Sequence, residues 1–466
     1  MNPLRGDILV VGLGSSGEAV ATYGAARAAQ GDPVRITVVD SGDSALLQER
    51  ADRLRALGVE VRLACAEVFG SYDLAVASPG IPPHVALMRS ARAAAAEVIS
   101  EIEFAYRRSV APWLAVTGTN GKTTVTSLLG HVLRCAGVSA QTVGNIGLPA
   151  VLAVSEVGAA GALVAEVSSF QLALTDRFHP RVSVLLNITP DHLDWHGDLD
   201  TYALDKTRIF ARQDADDTAV INADDAGSAR FVDVVRDQGV RVVEVSVQRV
   251  PDKGAGLSPT GMLVIETSSG PVELLHRDEL RIRGEHNVGN ALAAAAAACA
   301  FGVRPDSISN GLRTFAPIEH RLEPVGTVRG VEYFNDSKAT NPDAAAKALT
   351  AFAGRPVVVL LGGRNKGNRF IELGEAIAEA GAAAVLFGEA AAVIAADLTD
   401  AGATFVRATG LADAVRRATE TAIPGTAVVL SPACASFDEF SDYAERGRVF
   451  RALVHELERG SASREE

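Results

Sequence analysis

The chain has 466 residues, 44 Lys and Arg against 57 Asp and Glu, a formal net charge of −13 and 48% hydrophobic residues. At about 150 residues per domain this is enough chain for three cores, and the acidic balance argues against nucleic acid or an anionic membrane as the main partner. Any phosphate ligand must therefore be held by local devices. The four cysteines, Cys65, Cys135, Cys299 and Cys434, are far apart and form no CxxC. Reduced thiols in a cytoplasmic protein are expected, not a zinc site or a disulfide framework. No run reaches the roughly 20 apolar residues of a membrane span, and Asp7 interrupts the start of the chain before a signal-peptide core can form.

The first third alternates short apolar strands with helical stretches. Strands are expected at 7–12, 35–40 and 74–77, and helices at 17–29 and 46–57. This is a doubly wound α/β pattern. The turn Gly12-Leu13-Gly14-Ser15-Ser16-Gly17 joins the first strand to the first helix, and Asp40 ends the next strand. That is the dinucleotide fingerprint. Alone, it fits NAD, another diphosphate ligand, or a helix packed closely on a strand.

A junction at 101–111 leads to a second unit that opens on apolar Trp113-Leu114-Ala115. Residues 116–124 then read VTGTNGKTT, followed by a helical stretch at 125–133. Small residues in such a turn let backbone N–H groups converge on an anion, and the helix N-terminus adds partial positive charge. Lys122 can reach terminal phosphates and the Thr123 hydroxyl can bind Mg²⁺, which points to ATP. The spacing departs from the usual Walker motif, since Val116 stands where its first glycine would.

Further strands are expected at 162–167, 182–186 and 219–222. Glu166 falls at the carboxyl edge of the sheet, where ligands of open α/β folds sit and a carboxylate can hold Mg²⁺. His192, crowded by Asp191 and Asp194, follows another strand and is a candidate ligand for a second cation. Lys206 lies in a helical stretch at 202–210, and an alanine-rich helix follows Asn287.

Proline and charge at 317–323 mark a second junction. The last third again alternates, with strands expected at 331–335, 356–362, 383–388 and 427–431, and a polar, disordered tail after Glu458. The segments 335–341 and 430–437 bring hydroxyls, a lysine and an aspartate to one sheet edge, a set suited to an amino acid carrying extra carboxylate charge. Arginine supplies most of the basic residues. Of six lysines, Lys122, Lys206, Lys338 and Lys366 fall inside the segments singled out above or in the loop 362–366, and only Lys253 and Lys347 do not.

These segments resemble the Mur ligases, and within them the branch that adds D-glutamate. The resemblance covers nearly the whole chain. It rests on GTNGKTT, GNIG at 144–147, EVSSFQL at 166–172, PDHLD at 190–194, EHNVGNALAA at 285–294, His320-Arg321, NDSKATN at 335–341 and SPACASFDEF at 431–440. It implies three domains: a Rossmann-like UDP-binding domain over 1–103, a P-loop ATP-binding domain over 104–317, and a Rossmann-like amino-acid-binding domain over 318–466. The implied activity is cytoplasmic, ATP-dependent ligation of D-glutamate to UDP-N-acetylmuramoyl-L-alanine through an acyl phosphate, in peptidoglycan precursor synthesis. It is carried out by a monomer with two Mg²⁺ ions and no nucleic-acid or membrane partner.

By the same resemblance, Gly14, Ser15, Ser16, Asp40, Ser41, Ser78 and Gly80 line a uridine diphosphate site, and Asn145 contacts the nucleotide-sugar substrate. Gly118, Thr119, Asn120, Gly121, Lys122, Thr123 and Thr124 hold the ATP phosphates, and Asn287 and Asn290 face adenine. Thr123, Glu166, His192 and Lys206 serve the metal ions, Lys206 as a carbamate. Arg321, Asp336 and Lys338 close over ATP and the acyl phosphate. Lys338, Thr340, Lys366, Ser436, Phe437 and Tyr443 fix D-glutamate. The rivals are a sibling or folate-type ligase adding another amino acid, an NAD-dependent oxidoreductase reading the first glycine turn literally, and a non-enzymatic P-loop module.

Overall fold

A computed structural model describes residues 3–267 and 269–462, apart from the side chains of 194 and 460–462. Among the described residues there are three sheets. The first is all parallel, in the spatial order Glu60–Arg62, Val34–Val39, Gly6–Val11, Leu74–Ala77, Val98–Ser100. Its central strand carries the uninterrupted apolar run 8–11, buried on both faces, as a strand covered by helices requires. Strand order reverses between Gly6–Val11 and Leu74–Ala77, which opens a crevice at their carboxyl ends.

The second sheet has nine strands, in the order Gly270–His276, Met262–Thr267, Gly254–Leu257, Arg241–Ser246, Thr218–Asn222, Val182–Leu185, Trp113–Thr117, Ala162–Glu166, Ala140–Gly144. It is parallel apart from an antiparallel extension through the first two of these strands. Trp113–Thr117, which feeds the glycine-rich turn, lies well inside the sheet and every residue of it is buried. The third sheet runs Glu323–Val328, Val331–Asn335, Ala427–Ala433, Val357–Gly362, Ala383–Phe387, Thr404–Arg407, with only the first strand antiparallel.

The chain falls into two compact units, Met1–Glu279 with Gly289–Arg313, and Leu280–Val288 with Thr314–Glu466. The first two sheets share one unit because the expected junction at 101–111 is a seam. Helix Glu101–Tyr106 is buried almost throughout. Glu101 Oε1 accepts from Val151 N at 2.7 Å, and burial pushes this carboxyl up to about 7. Glu103, fully buried, accepts from the backbone N–H groups of Asp176, Arg177 and Phe178 at 2.8–3.1 Å and from Arg107 Nε at 2.6 Å. Edge-to-face contacts among Tyr106, Trp113 and Phe178 fill the space beside it. One apolar cluster contains Ile8 and Val10 of the first sheet together with Leu163 and Leu185 of the second.

The expected disorder after Glu458 does not hold at 459–462. Helix Tyr443–Ala462 continues through them. Phe450 and Val454 are buried on its inner face and Leu457 packs beside them, so the apolar stripe holds the last turns against the sheet. Residues 463–466 lie outside the described residues. No described helix is long and apolar enough to cross a membrane.

Candidate active site

The glycine-rich turn leaves the carboxyl end of Trp113–Thr117 and runs into helix Lys122–Cys135. Gly121 caps that helix at φ +84°, and a Cβ there would also lie 2.6 Å from Asn290 Oδ1. Only glycine combines that dihedral with that close approach, and Asn290 is thereby placed against the turn. The turn is pinned from outside. Asn187 Oδ1 accepts from Asn120 N at 2.7 Å while its amide donates to Asn120 O at 3.1 Å. Thr119 Oγ1 donates to Thr189 O at 3.1 Å and lies 3.1 Å from the Tyr202 hydroxyl.

Three expected residues meet at the start of the helix. Thr123 Oγ1 donates to Glu166 Oε2 at 2.7 Å, and Asn145 Nδ2 donates to Glu166 Oε1 at 3.0 Å. Lys122 Nζ is folded over the turn, donating to Gly118 O at 2.9 Å and Thr119 O at 2.8 Å. Lys206 joins it from helix Leu199–Thr207, also donating to Gly118 O at 2.9 Å. Lys206 is 1% exposed, and its Nζ lies 4.4 Å from the Tyr202 ring centroid. Burial first, and then the charge of Lys122, push its amine well below the ordinary lysine range.

His192 stands at φ +54°, a left-handed conformation costing a non-glycine residue about 1–2 kcal/mol. The Asp191 carboxylate accepts from His192 N at 3.0 Å and supports that bend. The imidazole lies edge-on to Phe170, centroids 4.8 Å apart. The Asp194 side chain, expected to crowd it, is outside the described residues.

This donor set fits a magnesium–nucleotide site. A hydroxyl and a carboxylate, both hard oxygen donors, touch beside a phosphate-type turn. Burial shifts the sealed Lys206 toward the free amine.

In the same unit, the first glycine turn is built for close packing. A Cβ at Gly17 would sit 1.9 Å from Gly12 O. Asp40 accepts from Leu13 N at 2.6 Å and Gly42 N at 2.8 Å, and Ser78 Oγ donates to Gly12 O at 3.0 Å. Gly14, Ser15, Ser16, Asp40, Ser41, Ser78 and Gly80 therefore gather at one sheet edge, beside the crevice where strand order reverses.

In the other unit, Lys338 Nζ donates to the Tyr443 hydroxyl at 2.8 Å and lies 4.2 Å from its ring centroid, while Lys366 Nζ donates to Thr340 Oγ1 at 3.3 Å. Ser436 is buried, whereas Phe437 is 62% exposed. Asp336 accepts from Ser431 Oγ at 2.8 Å and Leu322 N at 3.3 Å. Burial pushes its carboxyl up to about 7 against the pull of Ser431 and Arg321. Arg321 stands between two left-handed residues, His320 (φ +64°) and Leu322 (φ +42°). Asn287 donates to Arg283 O at 2.6 Å.

Sequence reasoning missed several residues that hold these groups. Asn187, Thr189 and Tyr202 pin the phosphate turn. Arg446, fully buried, donates to Ser337 Oγ (2.9 Å) and O (2.8 Å), Cys434 O (3.2 Å) and Gly362 O (3.4 Å), and burial pushes its guanidinium down to about 10. It ties together three loops that carry the residues expected for D-glutamate. A polar residue isolated in the apolar face of a helix was the available signal.

The fold and these clusters define an ATP-type ligase architecture, and comparison gives it a family. The description "Mur ligase middle domain" matches residues 116–298, and "Mur ligase, glutamate ligase domain" matches 320–434. The UDP-N-acetylmuramoylalanine–D-glutamate ligase of Pelotomaculum thermopropionicum is 42% identical over 98% of this chain and 99% of its own length. The protein of the same description from Koribacter versatilis is 39% identical over 97% of each. Solved structures share the fold. MurF of Acinetobacter baumannii has a TM-score of 0.61 at 20% identity, over 91% of this chain and 90% of that one. The UDP-N-acetylmuramate–alanine ligase MurC of Thermotoga maritima has 0.59 at 19%, over 97% and 100%. The chain belongs to the Mur ligase family.

Proposed function

We propose that this chain joins D-glutamate to UDP-N-acetylmuramoyl-L-alanine, converting ATP to ADP and phosphate, as a cytoplasmic monomer in peptidoglycan precursor synthesis. The observation that carries the reading is the cluster at the phosphate turn: Thr123 on Glu166, with Lys122 and the sealed Lys206 sharing one carbonyl. The identity to D-glutamate ligases over nearly the full length supports the choice of amino acid. The division into domains at 1–103, 104–317 and 318–466 belongs to the same reading.

A carboxylate is a poor electrophile. Its oxygen attacks the γ-phosphorus of ATP, the bond to ADP breaks, and an acyl phosphate results. Lys122 leaves its two backbone carbonyls for the transferring phosphoryl group and neutralises its developing charge. Thr123, Glu166, His192 and Lys206 as a carbamate would hold two Mg²⁺ ions. When bound, the ions supply charge neutralisation at the phosphates. To form the carbamate, the Lys206 amine attacks CO₂, an N–C bond forms and a proton leaves, so a cation becomes an anionic oxygen donor.

Asn287 and Asn290 face the adenine, and Arg321, Asp336 and Lys338 close over the phosphates. Lys338, Thr340, Lys366, Ser436, Phe437 and Tyr443 hold D-glutamate, whose amine attacks the acyl carbon, loses a proton and expels phosphate. Water must be excluded, or the acyl phosphate hydrolyses. The nucleotide end of the substrate lies on Gly14, Ser15, Ser16, Ser41, Ser78 and Gly80. Asp40 acts by holding the two turns it bridges, and Asn145 meets the sugar side.

The test is phosphate release with UDP-N-acetylmuramoyl-L-alanine, measured with D-glutamate and then with L-glutamate. Release only with the D-enantiomer, abolished in Lys122→Ala, is expected. Equal release with L-glutamate, or release with no amino acid, sinks the reading.

A further inference from the structure

The residue that holds the three metal-site segments together is one the chemistry above does not use. His196 has a fully buried side chain. Its Nε2 lies 2.9 Å from Ser169 Oγ, and its Nδ1 lies 2.9 Å from Asp205 Oδ2. A carboxylate only accepts, so Nδ1 carries a proton, and Nε2 bonds the serine hydroxyl, which can both donate and accept. The arrangement has the order of a nucleophile–base–acid chain. Ser169 is 2% exposed, however, and no substrate reaches it there.

What the chain does is connect. Ser169 follows Glu166 by three residues, at the first turn after its strand. Asp205 directly precedes Lys206 on helix Leu199–Thr207. His196 closes the one-turn helix that begins after His192, with its N–H on His192 O at 3.1 Å. Its ring stacks on Phe170 at 5.4 Å with planes 9° apart, and Phe170 is the residue against which His192 stands. One imidazole thus reaches the strand end carrying Glu166, the loop carrying His192 and the helix carrying Lys206.

We propose that His196 is a positioning residue. Through Ser169 and Asp205 it locks Glu166, His192 and Lys206 into the one arrangement that holds a divalent cation at the phosphate turn. The inference rests on the metal-site reading given under Proposed function. Partners that orient metal ligands from behind are worth about 10–100-fold in metal affinity or activity.

The test is Mn²⁺ binding to the full-length protein in the presence of a non-hydrolysable ATP analogue, read by electron paramagnetic resonance, with steady-state kinetics alongside. His196→Ala and Asp205→Ala are expected to bind Mn²⁺ about 10–100-fold more weakly and to lose kcat, with KM for D-glutamate unchanged. Asp205→Asn keeps an acceptor for Nδ1–H and is expected to stay close to the parent. Parent-like Mn²⁺ binding in folded His196→Ala and Asp205→Ala overturns the proposal. Should His196→Ala fail to fold, Ser169→Ala and Asp205→Ala each remove one bond, and parent-like binding in both overturns it equally. Undiminished binding in Glu166→Gln would instead bring down the metal-site reading, and this inference with it.

Discussion

Two lysines in this chain sit over tyrosine rings, one in each compact unit, and they end in different chemical states of access. Lys206 lies 4.4 Å from the Tyr202 centroid and Lys338 lies 4.2 Å from that of Tyr443. Lys206 is sealed, and Tyr202, itself 1% exposed, turns its hydroxyl away to Thr119. Lys338 is half-buried and spends one donor on its own tyrosine, leaving two for another partner. The pairing is the same, but burial decides its use. The sealed amine is pushed toward its neutral form, while the open one keeps a face from which it can receive a carboxylate.

That contrast can be broken in order of effect. Lys206→Ala is expected to lower kcat by about 10²–10³-fold, with activity returning when a short carboxylic acid is supplied in solution. Lys338→Ala is expected to lower kcat/KM for D-glutamate by about 10–100-fold through a lost charge-assisted hydrogen bond, with no return on adding acid. Rescue of Lys338→Ala by the acid, or none for Lys206→Ala, reverses the assignment of the two pockets. The tyrosines sharpen it further. Tyr202→Phe is expected to lose about 1 kcal/mol of stability by denaturant unfolding, since the Thr119 hydroxyl loses a buried partner. Tyr443→Phe is expected to act chiefly on KM for D-glutamate.

Glu101 gives a smaller, pH-dependent effect. Its folded pKa of about 7 lies above the ordinary value of 4.5, so the folded state binds the proton more tightly. Its stabilising contribution is complete below pH 4.5 and is lost as pH rises through about 7. Glu101→Gln is expected to flatten that decline by about 1–3 kcal/mol. Denaturant midpoints at pH 5 and pH 8 check it, and parallel curves for parent and variant would discard the assignment.

The strands and turns that carry chemistry were legible because each announces itself locally. The runs at 8–11 and 113–116 are continuously apolar, and GTNGKTT is contiguous. Leu74–Ala77 and Val331–Asn335 occupy the expected residues, and most other expected elements end within one or two residues of their places. Short or polar edge strands such as Glu60–Arg62 and Thr404–Arg407 carry too little periodicity to read. The residues that pin the site were hidden for another reason. Asn187 acts on Asn120 across 67 positions, and Arg446 acts on Ser337 across 109. Arg446 stands out on its helix face, but nothing local names the residue at the far end of either bond. Residues 459–462 read as disordered because they are polar in themselves, whereas the apolar residues that hold their helix down, Phe450, Val454 and Leu457, lie before them.

The seam around Glu103 has a bearing on how this gene can be dissected. A fragment ending at 103 would part Tyr23 from the Phe104 ring that stands edge-on to it, and would leave the Glu103 carboxylate without the three amides of 176–178. The shortest piece expected to fold unaided is therefore not the first sheet with its helices alone. It extends to Arg313 and takes the glycine-rich turn with it, so the crevice of the first sheet and that turn are inherited together as one compact unit.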